Sequence, residues 1–277
     1  MLHGETTKRA PLDPDAIVER LQARGVEQLQ DEAALWVILD GSDLRKPHAR
    51  CMEALQRVKR LHGEGTVPGY RTLTALGVGH QRRGLLYHRL FSSAAPDFTS
   101  ESAEVQRALT SIGSAVAPLG AEVTYIMDAD FDDIAVWGTI WQQGHHLVCR
   151  VCERDRLVRL APDQPRCHLW EIAPRLRPLA RVETEMVVQR GRQPRPKLQR
   201  VPVTIAAAPL VVDWQEDVRR RSDGARHQQA VWLVEVRLEG VDQEPWWLLT
   251  DRPVETAEQA AEVFRMYRQR WALEDAF

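Results

Sequence analysis

The chain has 277 residues, with 37 Lys+Arg against 39 Asp+Glu for a formal net charge of −2; it is 44% hydrophobic and 27% charged. That balance excludes a disordered or fibrous chain and argues against a small cationic DNA-binding module, but not against a large nucleic-acid enzyme with local positive charge. At roughly 100–200 residues per domain the length allows one large domain or two ordinary ones. The elements then follow in chain order. Residues 1–32 are a polar lead-in, with Pro11 and Pro14 ahead of a weak helix over 15–30. Ala33 through Leu39 is an apolar run closed by Asp40, which reads as a buried strand with a carboxylate at its C-terminal end and a turn over Asp40-Gly41-Ser42-Asp43. Residues 45–69 are basic and partly loop-like (Arg45, Lys46, His48, Arg50, Arg57, Lys59, Arg60). The runs 70–78 and 84–91 read as a strand pair, and 100–116 as a helix capped by Ser100 or Ser102. A strand over 122–127 ends at Asp128, a helix fits 134–143 and a strand fits 145–152, giving a crossover unit within one sheet.

Beyond residue 154 the texture changes to short β-rich runs, at 186–189, 201–205, 231–238 and 246–249, separated by Pro, Gly and charge. These predict a mostly antiparallel insertion over 154–250. Between Arg175 and Arg200 lie basic residues at 175, 177, 181, 190, 192, 195, 197 and 200 against acids at 183 and 185. This excess fits either a solvated loop or a phosphate-contacting surface. Thr256 and Gln259 have capping-box spacing, so a helix is expected from there through 277. Its apolar stripe, Ala260, Phe264, Tyr267 and Trp271, leads in step to Glu274, which places a carboxylate on the face meant to be buried, with Arg270 on the same side. A surface ion pair is the ordinary alternative.

Asp40, Asp128 and Glu274 therefore stand out by position. Functional groups of open α/β sheets gather beyond the carboxyl ends of the strands. Three convergent carboxylates suit hard cations such as Mg²⁺ or Mn²⁺, and two such ions about 3.5–4 Å apart can clamp a phosphodiester displacement. Other signals carry less. Cys149-x2-Cys152 with Cys167-His168 falls partly on a strand whose residues three apart face opposite sides, which disfavours zinc. Asp128-Ala129-Asp130 has the pattern of a glycosyltransferase metal motif, but that leaves Tyr267 and Glu274 unexplained.

Tyr267-x2-Arg270-x3-Glu274, the strand Pro245-Trp246-Trp247-Leu248-Leu249-Thr250 before it, and the segments Val37-Ile38-Leu39-Asp40 and Met127-Asp128-Ala129-Asp130 together resemble, in order, the signature segments of DDE transposases of the IS-four insertion-sequence family. The resemblance runs from Asp40 to Phe277. It implies an α/β fold, an RNase H-like mixed five-stranded sheet with helices, made of residues 33–153 and completed by a catalytic helix over 251–277, with the β-rich insertion between. Asp40, Asp128 and Glu274 would be catalytic and would bind two Mg²⁺ (or Mn²⁺) ions. Tyr267 and Arg270 would contact DNA phosphate and Arg150 would match the family's DNA-contacting arginine. Trp246 would line a pocket for a flipped base, with an ordinary strand-core tryptophan as the alternative. The implied activity is metal-dependent DNA strand cleavage and strand transfer. Its partners would be double-stranded DNA, at transposon ends and target, and a second copy in a homodimer of the full-length form. No membrane is implied: no apolar run reaches ~18–20 residues and the N-terminal segment lacks a signal-peptide core. The four cysteines read as reduced thiols. The expected location is the bacterial cytoplasm, with the nucleoid. The family's lysine after the glutamate would fall beyond Phe277, the first strand is expected too early in these residues to follow a separate N-terminal DNA-binding domain, and Ala129 stands where the family has an arginine. A truncated core is therefore expected, with an inactive remnant or an inhibitor that occupies DNA or partner transposase as the rival reading, and a host RNase H-like nuclease as a further one.

Overall fold

The computed structural model describes residues 14–188, 197–215 and 226–272. In chain order the elements are α1 (Pro14–Gln28), β1 (Ala34–Arg45), β2 (Gln56–Lys59), β3 (Thr66–Val78), β4 (Arg83–Phe91), α2 (Glu101–Val116), β5 (Glu122–Met127), α3 (Ile134–Gln142), β6 (His146–Arg150), β7 (Leu157–Val158), β8 (Cys167–His168), β9 (Arg177–Val188), β10 (Lys197–Gln215), β11 (Arg226–Leu238), β12 (Trp246–Thr250) and α4 (Ala257–Arg268). All strands except the small β7–β8 pair join one mixed sheet of ten, in the order β2-β3-β1-β5-β6-β12-β11-β10-β9, with β4 also paired to β3. The protein is thus of mixed α/β class.

Side-chain alternation along the strands divides the sheet into two faces. On one face Leu35, Val37 and Leu39 of β1 join Leu109 and Ile112 of α2 and Trp137 and Ile140 of α3 in one apolar cluster. On the other, Ile38, Ile126, Val148 and Leu248 pack against Ala260, Val263, Phe264 and Tyr267 of α4. β1 and β5 are buried on both faces, which is why their sequences read as nearly continuous apolar runs. α1 approaches β4 backbone to backbone: a Cβ on Gly25 would lie 2.0 Å from the Leu85 carbonyl oxygen.

Local chemistry sets the helix boundaries. The Ser100 hydroxyl accepts the Ala103 N–H at the start of α2. The expected capping box opens α4: the Thr256 hydroxyl accepts the Gln259 N–H, and the Gln259 amide oxygen accepts the Thr256 N–H. Thr256→Ala is expected to cost about 1 kcal/mol, read as a lower urea midpoint at constant slope.

Several expectations are corrected. The turn after Asp40 is absent, and β1 runs on through Gly41, Ser42 and Asp43 to Arg45 because β3 pairs with it over that whole length, down to Arg45 opposite Gly69. The basic segment 45–69 contains strand β2 and the start of β3. The sheet has ten strands instead of five, because β12 bonds to the free edge of β6 and carries β11, β10 and β9 with it. The β-rich segment is antiparallel, as its sequence predicts, and β10 runs for 19 residues. The basic stretch is largely strand: Arg181 pairs with Glu239 at 2.7 Å and Arg200 with Glu185 at 3.5 Å, while residues 190, 192 and 195 lie outside the described residues. The terminal α-helix ends at Arg268 and passes into a 3-10 turn over Gln269–Ala272, and Glu274 lies outside the described residues. Among the described residues no helix is long and apolar enough to cross a membrane.

Candidate active site at the carboxyl ends of two parallel strands

β1 and β5 run parallel and in register, and their last paired residues are Leu39 and Met127. The next residue of each is an aspartate. Ile38 and Ile126 face α4, so alternation turns Asp40 and Asp128 to that face too, side by side at one edge of the parallel pair. Asp40 stays extended opposite Thr74 of β3. At Asp128 the strand stops, and its Oδ1 accepts the Asp130 N–H at 3.0 Å to cap a short 3-10 turn. Its Oδ2 is turned toward the 3-10 turn that follows α4.

Arg270, in the turn that follows α4, closes the arrangement. Its Nη1 lies 3.3 Å from Asp40 Oδ1 and 3.9 Å from Asp128 Oδ2. Two carboxylates from neighbouring strands therefore share one guanidinium, and all three side chains are partly buried, at 16%, 29% and 16% exposure for Asp40, Asp128 and Arg270. Trp271 lies beside the guanidinium, 5.1 Å from ring centroid to Cζ.

Tyr267, one turn earlier, is buried, and burial raises its phenol above the ordinary tyrosine range, opposed by the charges of Arg150 and Arg270 and reinforced by Asp128. The phenol is therefore a neutral hydrogen-bond donor at neutral pH. Arg150 is the last residue of β6 and lies two residues after Val148, on the α4 face. Trp246, on β12, is only 5% exposed, with ring centroids 5.6 Å from both Tyr267 and Trp271 and 6.4 Å from Phe264. Burial makes it a core residue in this conformation; stacking on a base requires the α4 turn to move. Its indole N–H is buried with no hydrogen-bond partner among the described residues. Of the residues singled out from the sequence, Asp40, Asp128 and Arg270 converge directly. Tyr267, Arg150 and Trp246 lie on the same face around them, and Glu274 lies outside the described residues.

Asp132 is the residue that sequence reasoning passed over. Its Oδ2 accepts the Cys152 and Glu153 N–H groups, each at 2.8 Å, and its Oδ1 takes the Arg156 guanidinium at 2.5 Å. Arg156 in turn stacks on Trp137 at 4.5 Å. This ties the segment after β6 to the turn that carries Asp128. Cys149 is buried in β6, where burial pushes its thiol well up, and its Sγ donates toward the Asp128 carbonyl at 3.5 Å; Cys152 is exposed.

Hard oxygen donors on two adjacent strands fit a Mg²⁺ or Mn²⁺ ion, since both already converge on one cationic group. Among the described residues no cluster of three or more His, Cys, Asp or Glu forms a fuller cage. No protein-family model matches the chain, and no curated protein matches it.

Proposed function

We propose that this chain is the catalytic core of a DDE transposase of the IS-four insertion-sequence family, cutting and joining DNA with Mg²⁺ or Mn²⁺. One observation carries the reading: Asp40 and Asp128, at the ends of adjacent parallel strands, converge on Arg270 of the Tyr-x2-Arg-x3-Glu segment. The order β4-β3-β1-β5-β6, in which β3 alone runs against the others, supports an RNase H-like core.

Asp40 and Asp128, with Glu274 as third carboxylate, would hold the divalent ions, which supply polarisation of the phosphate and acidify the attacking water. The chain's own groups do the rest. Arg270 offers a planar fork of donors that suits phosphoryl oxygens as well as it suits the two carboxylates, so it can pass from one to the other as substrate enters. From there it neutralises charge that builds on phosphorus. Tyr267 donates from its neutral phenol, and Arg150 adds a second cation on the strand-end side. Water attacks phosphorus and the P–O3′ bond breaks, leaving a 3′-hydroxyl and a 5′-phosphate; that hydroxyl then attacks a phosphodiester of the opposite strand, a new P–O3′ bond forms as that strand's own P–O3′ bond breaks, and the displaced oxygen takes up a proton and leaves as a 3′-hydroxyl. Double-stranded DNA is the substrate, with a homodimer as the working form of the full-length protein.

Mn²⁺ titration followed by electron paramagnetic resonance tests the centre. Asp40→Asn and Asp128→Asn are each expected to weaken Mn²⁺ binding by at least about tenfold, the effect of losing about 1.4 kcal/mol of ligand interaction. Unchanged Mn²⁺ affinity in both variants refutes it.

A further inference from the structure

The α4 face of the sheet is only partly covered. α4 packs against β5, β6, β9 and β10, and the turn after it reaches β1 at Asp40. Beyond Asp40, β1 continues to Arg45, and β3, β4 and β2 continue alongside. Paired residues in an antiparallel ladder point to the same side. Ser42 opposite Thr72, His88 opposite Thr74, and Arg57 and Lys59 opposite Pro68 and Thr66 therefore all share the face of Asp40.

Among the described residues no helix covers this strip. Ser42, Arg57 and Lys59 are exposed and Thr72 and His88 are partly so. The opposite side of the same strands is closed, with Leu73, Ala75 and Tyr87 buried under the α2 layer. The strip carries hydroxyl and imidazole groups together with the exposed Leu44 and Leu90, which pair with Tyr70 and Thr72 on the same face, and it is rimmed by cations. Residues 45–60 hold six Lys and Arg against a single acid, Glu53, in a chain that is slightly acidic overall; of the six, Arg45 turns to the opposite face and meets Asp43, while Arg57 and Lys59 lie on the strip. Arg57 keeps its guanidinium on this face by bonding the Thr66 hydroxyl and carbonyl across the ladder.

Length matters as well as charge. At about 3.3 Å per residue, the Arg57 rung lies roughly 20 Å along the strands from Asp40. Nucleic-acid duplex advances about 3.4 Å per step, so that distance spans about six base pairs. Cations and hydroxyls spread along a strand face suit sugar and phosphate oxygens, contacts that carry no sequence information.

We propose that this strip is the seat of the duplex arm flanking the cleaved phosphate, gripping its backbone without regard to sequence. The proposal rests on the DNA-processing reading above and adds where the duplex lies and how it is held.

Fluorescence anisotropy tests it, with a labelled duplex of about 30 base pairs in Ca²⁺ and a salt series. The double variant Arg57→Gln/Lys59→Gln is expected to bind about 10–100-fold more weakly near 0.1 M salt, with a plot of log K against log salt shallower by about 2. The loss should be equal for duplexes of different sequence, with Mn²⁺ binding unchanged. Lys59→Gln alone leaves the Arg57–Thr66 bonds intact, and should lower the slope by about 1. Unchanged affinity and slope in both variants overturns the strip while the carboxylate centre stands. Failure of the unmodified protein to bind any duplex overturns the strip and the DNA-processing reading together.

Discussion

Alanine at Asp40 or at Asp128 is expected to lower Mg²⁺-dependent strand cleavage by about 10³-fold or more while the protein stays folded. Ligating a divalent ion that stabilises transition-state charge is worth several kcal/mol, and each 1.4 kcal/mol is about tenfold in rate. The stability cost is small by comparison. Each carboxylate is partly exposed and meets Arg270 at 3.3 or 3.9 Å, so its loss should remove about 1–2 kcal/mol and leave Arg270 facing the other acid. Asp130→Ala is the internal control: that side chain lies in the same acidic run but is exposed. It should cleave within about twofold of the unmodified protein, since surface changes away from special features cost about 0.5 kcal/mol or less. Nicking of a duplex in a gel assay decides the matter, and full activity with either Asp40 or Asp128 removed ends the assignment.

Asp132→Ala is expected to have the largest effect on stability, about 3–5 kcal/mol, because it strips a buried guanidinium of its counter-ion and two backbone N–H groups of their acceptor. Asp132→Asn keeps an acceptor for part of this network and should cost roughly half as much. Urea denaturation monitored by tryptophan fluorescence reports both, since Trp137 lies under Arg156. An Asp132→Ala protein with an unchanged midpoint contradicts the anchoring role. The two aspartates thus separate by measurement: Asp128 should matter to cleavage and little to stability, and Asp132 first of all to stability.

Most of the first half of the fold was legible because its strands and helices announce themselves locally. Residues 123–127 are mostly apolar and end at an acid that caps a 3-10 turn, and Ser100 and Thr256 mark helix starts through bonds made within four residues. The misses are non-local. Gly41-Ser42-Asp43 has the composition of a turn, yet β3 holds it extended through pairing that no window around residue 42 contains. β10 extends well past its apolar core because β9 and β11 pair with it on either side and carry charged residues, Pro202 and Pro209 along with them, and β9 follows β10 along that length as the sheet's edge. That the β-rich segment continues the main sheet depends on β12 meeting β6, which periodicity cannot report. The same holds at the site. Strand ends and a helical stripe single out Asp40, Asp128 and Arg270 as candidates, but the approach of Arg270 to Asp40 spans 230 positions in the chain. Asp132 was hidden for the opposite reason: in an acidic run it looks like its neighbours, and only burial distinguishes it.

The junction of β12 with β6 also governs how the molecule is made. The Asp251 carboxylate that accepts the Leu147 N–H and meets His146 at 2.7 Å is 105 positions from that histidine. Closing so long a loop costs conformational entropy before any pairing rewards it, and chains dominated by such distant contacts fold in milliseconds to seconds. The parallel pair β1–β5 sets Asp40 beside Asp128 through its own register and does not need β12 for it. Arg270 belongs to the chain beyond β12, and it meets the two acids only where α4 lies over the sheet. Assembly of the sheet is therefore also assembly of charge: two acids from one strand pair, and the cation that bridges them from a segment far along the chain.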